Sequence, residues 1–465
     1  MQNKYFLAID IGASSGRHIL GSINDGKLVL EEIYRFKNGA ENVGGKLVWN
    51  DKELFSSIVE GLKECKKMNK IPCTIGIDTW GVDYALLDEN DVLIGEVFSY
   101  RDDRTLAVID EVHSIISEDE CYKNTGIQKQ VFNTIYQLYS DKKSGKLEKA
   151  KSFLMMPDYL HFLLTGVKKN EYTNASTTGL LSAVTRDWDY SIIDRLGFNK
   201  DLFKPLSQPG TIVGGLKDEI KNVVGFDAMV CLPATHDTAS AVMAVPSLGM
   251  PLYISSGTWS LFGVETPNEN TSELANRSGF TNEGGYNKSV RLLKNIMGMW
   301  MIQCIKKEYE DKYSFTDFVD LAKQAYGFDS LVDVNDLSFF APKSMINAVK
   351  EYCAKTNQKV PETVGEIVLC VYRSLAECYA KATVQIEDIT GVKFNAINIV
   401  GGGCQNLLLN ELTAKATGKP VIAGPVEATA TGNLLAQMLS SGDIKSLDEG
   451  KELIKKSFEV KEFKA

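Results

Sequence analysis

The sequence has few histidines and no paired cysteine motif. Four of its 465 residues are histidine, and its nine cysteines are scattered without a C-x-x-C pair. A disulfide framework or a zinc site needs regular cysteine or histidine spacing, so we expect neither. We expect reduced thiols in a cytoplasmic protein. Cys353 and Cys370 form a pair that a turn between two helices could bring together, and the sequence does not fix their redox state.

The chain also lacks a long apolar run and an excess of positive charge. No stretch of about eighteen uncharged apolar residues is present, so we expect no membrane span. Asp10 interrupts the short apolar stretch near the start, which argues against a secretory signal peptide. The formal net charge is −9, whereas nucleic-acid-binding proteins usually carry a basic patch, so we expect no nucleic-acid partner. The 465 residues are enough for two or three domains.

Residues 232–245 are the segment around which the rest of the chain is interpreted. A short apolar strand over 228–232 is predicted to stop at Pro233, because proline cannot donate a hydrogen bond within a sheet. Asp237 then stands where a run of small residues begins a helix. The start of a helix favours an anion, so we expect Asp237 to be ionised and able to accept a proton. Helix capping without a catalytic role is the alternative.

Two strand–loop–strand segments carry small loops that contain glycine. The first has an apolar strand over 5–11 and the loop residues Asp10–Arg17, and Leu252–Val264 repeats this plan around Ser255–Thr258. Such loops can place backbone N–H groups and hydroxyls against phosphate oxygens, and Asp10 could hold a hydrated Mg²⁺ beside them. The repetition, about 245 residues apart, predicts two related domains. Each loop taken alone could also be an ordinary hairpin turn.

Polar residues interrupt the apolar segments of the first half of the chain. Trp80–Asp83 is predicted to form the turn of a hairpin, at which a polyol could meet an indole, bare backbone and a carboxylate. Packing is the more common role of such an aromatic. The charged cluster Tyr100–Thr105 is interpreted as a solvated helix start. Residues 110–202 are predicted to be mostly helical, with Asn174–Gly179 as a loop.

Two segments of the second half add candidate site residues. Arg291–Lys307 is predicted to be an apolar helix that carries Asn295 and Gln303, whose amides could reach into a cleft or bond to backbone. Gly401–Asn406 lies between a predicted buried strand and a predicted helix. Its glycines could let a flat group such as adenine lie on the backbone, and tight strand–helix packing is the alternative.

Taken in order, these segments resemble the FGGY family of carbohydrate kinases. The resemblance rests on Asp10–Arg17, on His236 and Asp237, on Ser255–Ser260 and on Gly401–Asn406, and it covers nearly the whole chain. It implies an α/β fold with two actin-like (ribonuclease H-like) domains around a catalytic cleft. An N-terminal domain is expected at 1–245, with the sugar-binding side, the first phosphate loop and the catalytic aspartate. A C-terminal domain is expected at 246–465, with the second phosphate loop and the adenosine loop.

Longer runs resemble a subgroup of this family that phosphorylates L-rhamnulose. They are DIGASSGR, with Ala13 where most relatives have threonine, IDTWGVD, YRDDRT, THDTASAV, SSGTWSL and LLKNIMGMW. The resemblance implies ATP-dependent phosphorylation of the 1-hydroxyl, with Mg²⁺ beside ATP and Asp237 as the proton acceptor. The residues implied to contact the sugar are Gly81, His236, Asp237, Thr238 and Asn295. Those implied to contact ATP are Ala13, Ser14, Ser15, Gly16, Arg17, Thr258, Gln303 and Gly402, with Asp10 holding Mg²⁺ through water.

Two alternative functions stay open on the sequence. A kinase for another ketose or polyol, such as L-fuculose, xylulose or glycerol, would share the same loops. A non-metabolic actin-like ATPase would share them too, but it would not need Asp237 near a sugar. His236 either donates to a sugar oxygen or is a buried histidine with no role in binding. Nothing in the sequence favours a dimer over a monomer.

Overall fold

The computed structural model describes residues 4–465, which divide into two compact units. Unit 1 comprises the residues up to Ala244 together with Glu265–Leu292 and Ala428–Ser457. Unit 2 comprises Val245–Val264, Leu293–Glu427 and Phe458–Ala465. Each unit is therefore assembled from segments that are far apart in the sequence.

The chain contains twenty strands and eighteen α-helices within the described residues, joined by turns and a few short 3-10 helices. The strands are β1 (Tyr5–Ile11), β2 (Ser15–Asn24), β3 (Lys27–Lys37), β4 (Ala40–Val43), β5 (Lys46–Trp49), β6 (Pro72–Thr79), β7 (Tyr84–Leu87), β8 (Val97–Phe98), β9 (Ser152–Met155), β10 (Asn170–Glu171), β11 (Leu206–Ser207), β12 (Ile212–Gly215), β13 (Met229–Cys231), β14 (Leu252–Ser256), β15 (Trp259–Thr266), β16 (Thr281–Gly284), β17 (Val290–Met297), β18 (Ile397–Val400), β19 (Val421–Ala423) and β20 (Lys461–Phe463). The helices are α1 (Asp51–Lys67), α2 (Ile109–Ile115), α3 (Glu118–Thr125), α4 (Thr134–Lys143), α5 (Lys146–Lys149), α6 (Met156–Thr165), α7 (Tyr172–Ala175), α8 (Tyr190–Arg195), α9 (Asp218–Val224), α10 (Asp237–Met243), α11 (Glu273–Arg277), α12 (Trp300–Glu308), α13 (Phe315–Gln324), α14 (Met345–Lys355), α15 (Val364–Thr390), α16 (Leu407–Thr417), α17 (Ala428–Ser441) and α18 (Leu447–Ser457).

Unit 1 is built on a six-stranded mixed sheet with the strand order β12-β13-β6-β1-β2-β3. Strands β13, β6 and β1 are parallel to one another, and β1 continues antiparallel into β2 and β3. The central strands are almost continuously apolar, as expected for strands that are covered on both faces. The carboxyl ends of the parallel strands lie at one edge, which brings the residues that follow them together.

Two apolar clusters stabilise unit 1. One contains the strands of the main sheet and the buried faces of α1, α6 and α9. The other is formed by the helices between residues 108 and 203 with β7 and β9, and its large members include Tyr136, Phe153 and Trp188. The mostly helical region that the sequence predicts for residues 110–202 therefore has a core of its own.

Unit 2 repeats the plan of a hairpin beside a parallel strand. Its strands follow the order β17-β15-β14-β18-β19-β20, and β17 belongs to this unit only from Leu293 onward. Strands β14 and β15 are antiparallel, while β14, β18 and β19 are parallel. Helix α15 is 27 residues long and begins with a capping box, in which Thr363 and Glu366 satisfy each other's backbone N–H groups. Cys353 in α14 and Cys370 in α15 are buried free thiols, and the pKa of Cys353 is lowered by interaction with the Cys370 thiol, as expected for a close pair. Within residues 4–465, no helix is both long and apolar enough to cross a membrane.

Many predicted elements are confirmed, and four local predictions are wrong. Arg291–Lys307 is not one helix, because β17 ends at Met297 and α12 begins at Trp300. Asn174–Gly179 is not a loop, since it is a buried helical turn that continues α7. Tyr100–Thr105 is not solvated as a whole, because Arg104 is buried and forms an ion pair with Asp141 at 2.9 Å. Trp80–Asp83 does not close a hairpin, since β7 pairs with β9 and not with β6.

Candidate active site

Two aspartates stand at the ends of neighbouring parallel strands in unit 1. Asp10 in β1 is directly opposite Asp78 in β6, and both side chains are buried. The sequence prediction included Asp10 and missed Asp78, although both follow an isoleucine near the end of an apolar strand. Asn433 of α17 donates to Asp78 over 2.6 Å. Burial and the nearby Asp10 carboxylate raise the pKa of Asp78 well above its ordinary value.

The first predicted phosphate loop is shorter than the sequence indicates. Strand β2 already begins at Ser15, so the loop itself is residues 12–14, and Ser14 is exposed at its tip. Gly16 lies within β2, where a methyl group would stand 2.1 Å from the ring of Phe36. Arg17, also in the strand, donates to Asp10 over 2.7 Å. Of the predicted ATP residues, 13 and 14 therefore lie in the loop, and 15–17 lie in the strand that follows it.

Asp237 begins α10, as the sequence predicts. Its Oδ1 atom accepts hydrogen bonds from the backbone N–H of Thr238 at 2.6 Å and from the Thr238 hydroxyl at 3.1 Å. Its side chain keeps 32% of its surface exposed, so it is open to solvent in part. Burial of the remainder raises the pKa of Asp237 above its ordinary value, although the Thr238 hydrogen bonds oppose the shift. A partly exposed carboxylate of raised pKa is suited to accepting a proton.

A buried glutamate that the sequence prediction missed holds the segment before Asp237. Glu171 Oε2 accepts from both the backbone N–H and the hydroxyl of Thr235, at 3.1 and 2.8 Å. It also accepts from Thr173, whose hydroxyl in turn accepts the backbone N–H of His236 at 3.3 Å. A fully buried carboxylate costs free energy unless several donors satisfy it, and here it has them. Glu171 therefore fixes the approach of the chain to Asp237.

His236 lies in a buried cluster of charged groups. Its Nδ1 atom is 3.1 Å from Nη2 of Arg291 and 3.4 Å from Oε2 of Glu283. Its Nε2 atom is 3.4 Å from Oδ1 of Asp237. Burial alone would raise the pKa of Glu283, but the Arg291 guanidinium and the neighbouring His236 together outweigh it, and the pKa is lowered. No sequence pattern marks Glu283 or Arg291 as site residues beyond their charge.

Gly81 lies against this cluster. A methyl group at position 81 would stand 3.1 Å from Thr177 and 3.4 Å from Nε2 of His236, so glycine leaves a narrow gap there. The structure thus brings four of the predicted sugar residues together in unit 1, which are Gly81, His236, Asp237 and Thr238. Asn295, the fifth, is a half-buried residue of β17 in unit 2.

The indole and carboxylate beside Gly81 are structural. Asp83 is fully buried and accepts from Trp49 at 2.7 Å, from Trp80 at 2.9 Å and from the backbone of Tyr100 at 3.0 Å. Burial raises the pKa of Asp83 to about 6. Trp80 stacks on Trp49 with ring centroids 4.1 Å apart. Trp80 is therefore packed, which is the more common role of such an aromatic, and the fully buried Asp83 is not open to a polyol as the turn prediction allows.

The second predicted phosphate loop occupies the tip of the β14–β15 hairpin in unit 2. The Thr258 hydroxyl is 3.5 Å from Oε1 of Gln303, and the Thr258 carbonyl accepts the backbone N–H of Trp300 at 3.0 Å. Gly298 permits this approach, since a methyl group there would lie 2.6 Å from the backbone of Trp259. The hairpin tip is thus held against α12. This contact brings together Thr258 and Gln303, two of the residues predicted to bind ATP.

The three glycines after β18 have three different environments. Gly401 has a positive φ of 84°, and a methyl group on Gly403 would lie 2.0 Å from the hydroxyl of Ser256. Both are therefore required by the local backbone and packing. A methyl group on Gly402 would meet nothing within 4 Å. Packing does not explain this glycine, and its open surface is available to a ligand.

Comparisons with known proteins identify the family to which the chain belongs. Residues 5–244 match the N-terminal domain of the FGGY family of carbohydrate kinases, and residues 252–441 match its C-terminal domain. The chain is 51% identical to a rhamnulokinase of Halalkalibacterium halodurans, over 99% of this chain and 98% of that protein. It is 43% identical to a rhamnulokinase of Bacillus subtilis, over 98% and 95% of the two chains.

Solved structures show the same fold at low sequence identity. A gluconate kinase from Lactobacillus acidophilus superposes with a TM-score of 0.81 at 17% identity, covering 100% of this chain and 94% of that one. Plasmodium falciparum glycerol kinase with ADP superposes with a TM-score of 0.77 at 14% identity, covering 98% and 94%. The predicted α/β, actin-like fold is confirmed. The chain belongs to the FGGY family of carbohydrate kinases.

Proposed function

We propose that this kinase transfers the γ-phosphoryl group of ATP to the 1-hydroxyl of L-rhamnulose, giving L-rhamnulose 1-phosphate and ADP. The observation that carries the proposal is near-full-length similarity, at 51% and 43% identity, to two proteins named rhamnulokinase. The site in unit 1 supports it, because a partly exposed carboxylate begins a helix next to a glycine-lined gap.

Asp237 is the proposed general base. The sugar 1-hydroxyl oxygen bonds to the γ-phosphorus while the bond from that phosphorus to the ADP oxygen breaks, and Asp237 takes the hydroxyl proton. The hydroxyl becomes strongly acidic only as the new P–O bond forms, so a carboxylate can accept the proton late in the transfer. Hydrogen bonds from Thr238 hold Oδ1 in place, and Glu171 and Thr235 hold the preceding backbone. The side chain is therefore oriented before the sugar binds.

The remaining sugar contacts are assigned to Gly81, His236 and Thr238 in unit 1 and to Asn295 in unit 2. Gly81 supplies space and backbone, because its neighbours would be crowded by any side chain. His236 and Thr238 flank Asp237 and offer polar atoms on either side of it. Such a set recognises a polyol through several hydroxyls rather than through charge.

The residues assigned to ATP are 13–17 in unit 1 and Thr258, Gln303 and Gly402 in unit 2. Backbone N–H groups and hydroxyls of the loop at 12–14 suit phosphate oxygens, which small residues let approach closely. Thr258 and Gln303 are already in contact, and Gly402 presents open backbone.

Asp10 is assigned to Mg²⁺ through water. Asp78 lies opposite it, and Oδ1 of Asp78 is buried without a hydrogen-bond partner. Among residues 4–465, no group of three or more His, Cys, Asp or Glu is arranged to hold a metal ion. Two carboxylates nevertheless fit Mg²⁺, which kinases hold through one or two carboxylates, several waters and the substrate phosphates. When bound, the ion neutralises charge on the transferred phosphoryl group.

The experiment measures ADP release from MgATP with L-rhamnulose, L-fuculose, D-xylulose, L-ribulose and glycerol. Strong stimulation by L-rhamnulose alone is the expected result. Stimulation by a different sugar would show that the proposed substrate is wrong and would leave the proposed mechanism unchanged. The absence of stimulation by any sugar would favour an actin-like ATPase that does not act on small sugars.

The Asp237→Asn variant tests the base within the same assay. We expect ATP binding and folding to be retained and turnover to fall by about 10²–10⁴-fold, the usual contribution of a general base. Asp227→Asn is the matched control, because Asp227 is an exposed aspartate of unit 1 that pairs with Lys221. Retention of more than a few per cent of the wild-type kcat by Asp237→Asn would contradict the assignment.

A further inference from the structure

A fully buried arginine contacts the histidine that precedes the proposed base. Arg291 in β17 is fully buried, and its Nε donates to the backbone carbonyl of Gly284 at 2.8 Å. Its Nη2 atom lies 3.1 Å from Oε2 of Glu283 and 3.1 Å from Nδ1 of His236. All four residues belong to unit 1. The guanidinium is thus held by a strand-end carbonyl and a carboxylate while it faces the imidazole.

The protonation pattern of His236 follows from the chemistry of this contact. A guanidinium has five N–H donors and no acceptor, and it stays charged at any pH at which proteins are folded. A neutral imidazole has one ring nitrogen with a proton and one without. A hydrogen bond between Nη2 and Nδ1 therefore requires Nδ1 to be the acceptor, which leaves the proton on Nε2. The reverse arrangement, in which Nδ1 donates to the guanidinium, is impossible because the guanidinium has no acceptor.

Glu283 offers a competing arrangement, in which Nδ1 carries the proton and donates to the carboxylate. Two distances argue against it. Oε2 of Glu283 is 3.4 Å from Nδ1, whereas Nη2 of Arg291 is 3.1 Å away. Only the Arg291 contact satisfies hydrogen-bond geometry, and Oε2 of Glu283 has no such partner. The role of Glu283 is then to balance the buried charge of Arg291.

The protonated Nε2 atom points into the proposed sugar site. It is 3.4 Å from Oδ1 of Asp237 and faces the gap that Gly81 leaves. An Nε2–H group there can donate to a sugar oxygen or to the carboxylate of the base. In the opposite tautomer, Nε2 would carry a lone pair instead of a proton. It would repel the Asp237 carboxylate and could donate neither to that carboxylate nor to a sugar oxygen.

We propose that Arg291 is a positioning residue that fixes His236 as its Nε2–H tautomer, so that His236 donates a hydrogen bond into the sugar site beside Asp237. The inference deepens the proposed function and rests on it for the identity of the ligand. The tautomer itself does not depend on which sugar is bound. It selects donation to a sugar oxygen from the two alternatives that the sequence left open for His236, and it adds Arg291 as the residue that prepares this role.

The direct test is NMR of the full-length protein labelled with ¹⁵N in histidine. The chain has only four histidines, so a His236→Gln variant identifies the ring signals of His236. Long-range ¹H–¹⁵N correlations distinguish a protonated ring nitrogen from an unprotonated one. We expect Nδ1 to be unprotonated and Nε2 protonated, both in the wild type and in Glu283→Gln. A protonated Nδ1 in the wild type would overturn the proposal.

A double variant tests whether Arg291 is the cause. Arg291→Met combined with Glu283→Gln removes both charges together, which a core tolerates better than one unpaired charge. We expect His236 to lose its single tautomer, and the KM for the sugar to rise by about tenfold while the KM for ATP changes little, since one hydrogen bond is lost. Arg277→Lys is the matched control, because Arg277 is an exposed arginine of unit 1 in α11.

The outcomes separate this proposal from the proposed function. An unchanged Nε2–H tautomer in the folded double variant would overturn the role of Arg291, whatever the sugar. Equal rises in the KM for sugar and for ATP would overturn it too, since a general structural defect would produce them. If no sugar stimulates ADP release, the proposed function fails while the NMR measurement still decides the tautomer.

Discussion

Replacing Gly432 by alanine is expected to push two helices of unit 1 apart. Gly432 lies in α17 and packs against α10, the helix that begins at Asp237. A methyl group at position 432 would stand 1.7 Å from the backbone oxygen of Ser240 and 2.5 Å from its carbonyl carbon. Both are backbone atoms, so no side-chain rotation relieves the overlap. The helices must separate by about 1.3 Å before the closest approach reaches 3.0 Å.

The size of the effect follows from two opposing contributions. Overpacking of a core costs about 1–3 kcal/mol and occasionally more. Replacing glycine by alanine within a helix stabilises the helix by about 1 kcal/mol, because alanine has the higher helix propensity. Because the overlap is with backbone on a rigid helix, we expect a net loss of about 2 kcal/mol in the free energy of unfolding. Turnover should also fall, since a displacement of about 1 Å in a catalytic group can cost about 10²-fold.

Urea unfolding and initial rates of ADP release measure the two effects. Gly39→Ala is the control, because a methyl group at position 39 of unit 1 meets nothing within 4 Å and the glycine has no positive φ. We expect the urea midpoint and kcat of this control to match the wild type. A Gly432→Ala protein with the wild-type midpoint and kcat would refute the reasoning from close packing.

Three further predictions test other parts of the site. Asp10→Asn should raise the Mg²⁺ concentration needed for half-maximal turnover, and an unchanged Mg²⁺ titration would remove Asp10 from the ion's site. Gly402→Ala should keep the wild-type urea midpoint and raise the KM for ATP, because its methyl group meets open space; an unchanged KM would exclude this contact. Asp83 has a pKa of about 6 in the folded protein, above its unfolded value, so protonation stabilises the fold as the pH falls through 6. The wild type should therefore gain about 1.4 kcal/mol of stability relative to Asp83→Asn between pH 7 and pH 5, and a constant difference in urea unfolding would contradict this.

Local signals in the sequence are sufficient to predict helices whose ends carry capping residues. Helix α1 follows Asn50, a residue type that favours the N-cap, and the Asn50 side chain accepts from the backbone N–H of Glu53. The helix that the sequence predicts after Gly401–Asn406 is confirmed as α16, and Gly418 ends it with a positive φ of 63°. The error at Arg291–Lys307 has a different origin. A short apolar run fits a buried strand as well as a helix, and its pairing partners are remote in sequence.

The candidate site was predictable only in part, because its support comes from distant residues. Asp237 could be recognised from the strand end and the small residues around it. Asn433 contacts Asp78 across 355 positions, and Glu171 contacts Thr235 across 64. No local pattern encodes such pairs, since their members come together only when unit 1 is folded. Burial likewise decides that Asp83 is structural, which a turn motif cannot show.

The return of α17 to the first unit has a consequence for folding during synthesis. Gln437 in α17 donates to the Leu7 carbonyl at 2.9 Å and accepts from Thr74 at 2.6 Å, so the central strands are completed by a segment made late in synthesis. About two hundred residues separate Ala244 from the end of α18. A ribosome adds about 5–20 residues per second, so the nascent unit waits about 10–40 s with this face of its sheet uncovered. During that interval the growing chain offers chaperones an apolar surface that the finished enzyme does not have.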